Sequence, residues 1–177
     1  MKIQCFGSVV FGCRYMDLSL EELSRQVAEL LEKQKLNIAT AESCTGGWIG
    51  KELTAIPGSS TFFSGGIIAY SNEIKQKLLN VPVATLEEYG AVSEQVVLAM
   101  AKGAKEALCV DIAVAVSGIA GPTGGSADKP VGTVWLGWAL PNGETYAKVE
   151  RFSGTRDDVR KLTVYRALNE IQKIIAE

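Results

Sequence analysis

Three short apolar runs, Asn37 to Glu42, Thr61 to Tyr70 and Asp111 to Ser117, alternate with amphipathic helical stretches, and this alternation limits the fold more than any other feature of the chain. Strands separated by helices join in parallel, because each return crossing lays a helix over a sheet face. The first helical stretch opens on the capping box Ser19-Leu20-Glu21-Glu22. Leu20, Leu23, Val27, Leu30 and Leu31 then recur at helical spacing to about Lys35. After the first run, Ser43-Cys44-Thr45-Gly46-Gly47 turns into a helix that stops at Pro57-Gly58. The second run suits a buried strand, with Gly65-Gly66 marking a bulge or a close backbone approach. Ser71 or Asn72 caps a helix to about Leu79, and the connection from Val81-Pro82 holds one short helical turn. Ser93 with Glu94 starts a helix to about Leu108.

Asp111 to Ser117 reads as the central strand, and a Gly/Pro-rich loop, Gly118 to Pro130, follows it. Val131 to Leu140 and Glu144 to Phe152 form a hairpin across Pro141-Asn142-Gly143. Thr155 caps a last helix, with Asp157 and Asp158 in the first turn, where the dipole favours negative charge. The expected architecture is α/β: three αβα layers around a largely parallel mixed sheet, with a C-terminal hairpin plus helix.

A length of 177 residues suits one domain with a substantial core. Residues 16–177 read as that domain. Residues 1–15 lack a secretory pattern and end in Cys13-Arg14-Tyr15, and Met16 stands directly before the first helix signal. They read as an upstream extension that adds nothing to the site. Basic and acidic residues, 18 and 20, are interspersed, so no nucleic-acid footprint is expected. The longest apolar stretch, Val131 to Leu140, is too short and glycine-broken for a membrane partner. Cys5, Cys13, Cys44 and Cys109 have no zinc-ligand spacing and fit reduced thiols in a cytoplasmic protein.

The chain has no histidine. That removes Ser-His-Asp and Cys-His catalysis and the commonest zinc ligand, so neither a metal nor a cofactor is expected. A hydrolytic reaction has to find another base. Ligands of such sheets sit beyond the carboxyl ends of the strands. Ser43 ends the first strand, Tyr70 the second and Gly118 onward the third, while Arg156 follows the last. All four meet at one edge if the second hairpin strand runs with the others. Ser43 stands at a strand-to-helix turn whose amides are free to receive an oxyanion, though Ser43-Cys44-Thr45 also reads as a plain cap. Lys75, one turn into the next helix, is the best placed base; isolated lysines of this kind are otherwise solvated surface residues. Tyr70 is near enough in sequence to relay or position a proton. Cys44 is a rival nucleophile with less obvious activation. The loop Gly118-Ile-Ala-Gly-Pro-Thr-Gly-Gly-Ser126 offers bare amides for phosphate or ribose, and Arg156 offers a guanidinium for phosphate or carboxylate.

Taken together, Ala41-Glu42-Ser43-Cys44-Thr45-Gly46-Gly47, Tyr70 to Lys75, Gly90-Ala91-Val92-Ser93, Ser117 to Gly125 and Lys129-Pro130-Val131-Gly132-Thr133-Val134 resemble the CinA C-terminal domain, the nicotinamide mononucleotide deamidase (PncC) family. The likeness runs over about residues 18–175. It implies hydrolysis of the carboxamide of nicotinamide mononucleotide to nicotinate mononucleotide and ammonia in pyridine nucleotide recycling, by a metal-independent and often dimeric enzyme. It also implies Ser43 as nucleophile, assisted by Tyr70 and Lys75. The expected substrate-binding set is Thr45, Gly46, Gly47, Asn72, Gly118, Gly121, Gly124, Gly125 and Arg156. Two other readings stay open: a nucleotide-binding, competence-related module without turnover, and an amidase with a different substrate.

Overall fold

A computed structural model describes residues 18–176. The extension over residues 1–15, with Cys5 and Cys13, lies outside them. In chain order the elements are α1 (Leu20–Gln34), β1 (Ile38–Glu42), α2 (Trp48–Thr54), a 3-10 turn (Ser59–Thr61), β2 (Phe63–Ile68), α3 (Asn72–Leu79), α4 (Val83–Tyr89), α5 (Glu94–Leu108), β3 (Ile112–Gly118), β4 (Thr133–Ala139), β5 (Thr145–Arg151) and α6 (Arg156–Ala176). The strands form one sheet in the order β2-β1-β3-β4-β5. β1 pairs in parallel with β2 and β3, and the β3–β4 and β4–β5 pairs are antiparallel. Two antiparallel steps return β5 to the direction of β3, which brings the carboxyl ends of β1, β2, β3 and β5 to one edge. The expected three-layer α/β architecture is the one observed.

The caps follow the sequence. The Ser19 and Ser71 hydroxyls accept from the amides of Glu22 and Ile74. Thr155 and Asp158 cap each other at the start of α6: the Asp158 carboxylate accepts from the Thr155 amide, and the Thr155 hydroxyl accepts from the Asp158 amide.

The central strands alternate large and small residues, and the two faces pack differently in consequence. Ile38, Ile112, Val114, Val116, Leu136 and Trp138 meet α1, α2 and α6 in one core cluster. Ala39, Ala41, Ala113 and Ala115 face the other way, onto Val96, Met100, Ala101 and Ala104 of α5. Small side chains let α5 approach closely. A Cβ on Gly137 of β4 would lie 2.8 Å from the Val97 carbonyl oxygen. Among the described residues no helix is long and apolar enough to cross a membrane.

Three expectations need correction. β2 is an edge strand with alternating exposure, not a buried one, and Ile68 stands 55% exposed on it. Its apolar run does contain the expected irregularity, a register shift opposite Ile38 and Ala39. The close approach falls at Gly66, where a Cβ would sit 2.3 Å from Thr40 Oγ1. α2 ends at Thr54 rather than at Pro57, and the 3-10 turn carries the chain on to β2. α4 spans seven residues, about two turns, where one short turn is expected; the apolar Leu86 anchors it under the sheet-covering layer.

The tightest contact in the α5 layer is at Gly103, where a Cβ would lie 1.9 Å from the Leu79 carbonyl oxygen. Gly103→Ala should therefore destabilise the protein by about 1–3 kcal/mol in urea unfolding. That loss should outweigh the gain of about 1 kcal/mol in helix propensity. A variant as stable as the parent would contradict this packing.

Candidate active site

At the carboxyl end of β1 the chain turns at once through Ser43 to Gly47 into α2. The Ser43 amide donates to the Val116 carbonyl at 3.1 Å, so the turn starts as a continuation of the β1–β3 ladder. Lys75 comes in from the first turn of α3 and is 1% exposed, one of the largest fully buried side chains. Its Nζ donates to the Ala69 carbonyl at 2.8 Å, the Tyr70 carbonyl at 3.3 Å and Ser43 Oγ at 3.3 Å. Burial lowers its pKa below the ordinary lysine value, against a smaller opposing pull from Cys44. That pull needs a thiolate, and the Cys44 thiol is itself pushed up to about 11, chiefly by burial and further by Glu42. Burial thus disfavours the Cys44 thiolate, and no hydrogen bond joins Lys75 to the Cys44 thiol as one joins it to Ser43.

The expectation of free amides at the start of α2 is overturned by Glu42. Its buried carboxylate accepts from Thr45 Oγ1 at 2.6 Å and from the amides of Gly47, Ile49 and Gly50 at 3.0, 3.1 and 2.9 Å. Two orphan donors of the helix, Ile49 and Gly50, and the amide of the preceding Gly47 are spent on an internal anion. Thr45 and Gly47 are consequently structural partners of Glu42, and the amide of Gly46 is taken by the Ser43 carbonyl.

A cleft of about 200 Å³ opens over this edge, with Ser43, Lys75, Tyr70, Ser117, Gly118 and Arg156 in its wall. The Tyr70 phenol stands at the mouth and accepts from Arg156 Nη2 at 3.2 Å; only the Tyr70 carbonyl touches Lys75. Arg156 also donates through Nη1 to the Gly121 carbonyl at 2.8 Å, which ties the glycine loop to α6. Ser43, Tyr70, Lys75, Gly118 and Arg156 thus converge as expected. Asn72 is exposed at the start of α3, and Gly124 and Gly125 lie farther along the loop, outside the wall of the cleft. Gly125 serves packing instead, since a Cβ there would lie 2.7 Å from the Val131 amide nitrogen.

Sequence reasoning missed three residues. Ser117 lines the cleft, its hydroxyl donating to the Ala91 carbonyl at 2.7 Å. Glu42 is read from the sequence only as the carboxylate nearest Ser43, pointing to the opposite face of its strand from its neighbours, and not as the anion that holds α2. Arg160 lies behind Ser43, on the carbonyls of Cys44 and Thr45. Its spacing of four from Arg156 puts the two on one face of α6, a signal available in the sequence.

The CinA C-terminal domain profile matches residues 20–175. The nicotinamide-nucleotide amidohydrolase PncC of Escherichia coli is 49% identical over 155 residues, 88% of this chain and 94% of the relative. A CinA-like protein of Parasynechococcus marenigrum is 50% identical over 155 residues, and the match spans 86% of this chain but 37% of that longer relative. Among solved structures, competence/damage inducible protein CihA from Agrobacterium tumefaciens superposes with a TM-score of 0.85 at 42% identity, covering 88% of this chain and 94% of that one.

Glu42 gathers one hydroxyl and three amide donors in a buried place, so its charge holds the turn in shape. Glu42→Gln keeps the volume but sets an NH₂ against those donors. It should cost about 2–3 kcal/mol in urea unfolding. Unchanged stability would mean that the carboxylate does not hold α2.

Proposed function

This chain belongs to the CinA C-terminal domain family, and from that premise we propose that it is a nicotinamide-nucleotide amidohydrolase. The observation that carries the mechanism is the amine of Lys75, removed from water and 3.3 Å from Ser43 Oγ in a chain without histidine. In its neutral form Lys75 accepts the hydroxyl proton as Ser43 Oγ attacks the carboxamide carbon. The tetrahedral oxyanion collapses, and Lys75 returns the proton to the departing amine as ammonia leaves. Water, deprotonated by the same amine, then attacks the ester on Ser43. Nicotinate mononucleotide is released and the serine hydroxyl is restored.

The cleft is smaller than the roughly 300–1,000 Å³ of sites that enclose a whole ligand. It suits the pyridine carboxamide, with ribose and phosphate lying across the open mouth. There Arg156 keeps most of its five donors after serving Tyr70 and Gly121, and its charge fits the 5′-phosphate. Tyr70 is assigned to this clamp in preference to the base, because its phenol contacts Arg156 and not Ser43. The reaction is assigned to residues 16–177, with residues 1–15 taking no part. It is read as metal-independent because no imidazole is available as a ligand. A cytoplasmic homo-oligomer, a dimer on the strength of the family resemblance, completes the reading.

Purified protein should release ammonia from nicotinamide mononucleotide but not from nicotinamide, and Ser43→Ala should lower kcat on the order of 10⁴-fold or more with the fold intact. Cys44→Ser should be tolerated. An alanine variant at Ser43 with normal turnover would displace the nucleophile.

Because burial lowers the Lys75 pKa, kcat/KM should rise with pH along a limb below the reference lysine value near 10.4. Below that limb the amine is protonated and cannot accept the serine proton. Lys75→Arg should be as damaging as Lys75→Ala, since a guanidinium does not give up its proton. An active arginine variant would make residue 75 an electrostatic anchor only.

A further inference from the structure

An acyl-transfer site needs donors for the oxyanion as well as a nucleophile and a base. Two of the expected donors are already committed. The Ser43 amide belongs to Val116, and the amides of Gly47, Ile49 and Gly50 belong to Glu42. Among the described residues, the amide following the nucleophile, that of Cys44, is given to no backbone carbonyl, and Cys44 lines the cleft. Its direction depends on how the turn is held.

Arg160 holds it. Nη2 donates to the Thr45 carbonyl at 2.9 Å and Nε to the Cys44 carbonyl at 3.2 Å. The guanidinium lies over the Trp48 ring at 5.1 Å, and Asp157 takes Nη1 at 3.4 Å. A trans peptide points its carbonyl and amide in opposite directions. Fixing the Thr45 carbonyl therefore fixes the Gly46 amide, which donates to the Ser43 carbonyl at 3.1 Å. The Ser43 carbonyl in turn fixes the amide in its own peptide plane, that of Cys44. Gly46 has φ +64°, where glycine is at ease in several orientations, so the local backbone does not choose this arrangement by itself.

We propose that Arg160 is a positioning residue which, through the carbonyls of Cys44 and Thr45, aims the Cys44 amide as the oxyanion donor beside Ser43. The proposal rests on the hydrolase reading for its catalytic consequence, whereas the peptide orientation is testable without it. Arg160→Met removes the guanidinium at similar length. The experiment combines steady-state ammonia release from nicotinamide mononucleotide with ¹⁵N–¹H spectra of the parent and variant proteins.

The expected result is a kcat lower by roughly 10²-fold, the size of one lost oxyanion donor. KM should stay within about 3-fold and the ascending pH limb of Lys75 should not move. Arg160→Lys should recover little, since one ammonium does not bridge both carbonyls. Low millimolar guanidinium should restore part of the activity of Arg160→Ala where equal sodium chloride does not. In the spectra, the amides of Cys44, Thr45 and Gly46 should broaden or double in Arg160→Met while the core amides stay in place.

Unperturbed turn amides would overturn the proposal whatever the substrate. So would a parental kcat, a loss that falls wholly on KM, or a displaced pH limb. A displaced limb would assign the effect to charge on Lys75. Absence of ammonia release by the parent protein would count against the function alone, and the spectra would still decide the role of Arg160.

Discussion

An amine kept out of water without a counter-ion is the constraint around which the carboxyl edge of the sheet is built. Lys75 has carbonyls and a hydroxyl as its partners, and no carboxylate forms an ion pair with it among the described residues. A paired lysine would hold its proton more firmly; an unpaired buried one gives it up more readily. The carboxylate closest in sequence to the nucleophile, Glu42, is occupied by Thr45 and the amides of α2. Capturing Glu42 shapes the turn that presents Ser43, and the carboxylate is no partner of Lys75.

This arrangement divides the work of the edge between opposite charges. Glu42 serves the amides of the turn and Arg160 serves its carbonyls, so each end of the local peptide dipoles meets a fixed partner. Arg156, one helical turn before Arg160, faces the open side instead and joins Tyr70 to the loop after β3. A single helix therefore supports the floor of the cleft with one arginine and spans its mouth with another.

Much of this was legible in the sequence because it follows from chain direction. Alternating strands and helices fix a parallel sheet, parallel strands fix a common carboxyl edge, and the hairpin returns β5 to the same sense, so Ser43, Lys75 and Arg156 had to meet. What escaped reading depends on side-chain direction at particular points. The period of a strand does not reveal that Glu42 will reach the next helix, nor that the Tyr70 phenol will turn towards α6 while its carbonyl turns towards Lys75. The apolar run of β2 looked buried because hydrophobicity does not say which strand ends the sheet. Arg160 drew no notice in the sequence, since its partners are backbone oxygens and leave no mark in composition.

The unequal faces of the sheet have a consequence for how such a chain tolerates mutation. On the side of Ile38, Ile112, Val114, Leu136 and Trp138 the hazard is shrinkage, because a smaller residue leaves a void. On the side of Ala39, Ala41, Ala113, Ala115 and Gly137 the hazard is growth, because any added methyl pushes on α5. Ala91 and Val92, immediately before α5, form part of the cleft wall. A displaced helix would therefore carry its error to the substrate. Drift in the first set spends stability, whereas drift in the second also reshapes the pocket, so variation among descendants of this chain should be permitted on one face and censored on the other.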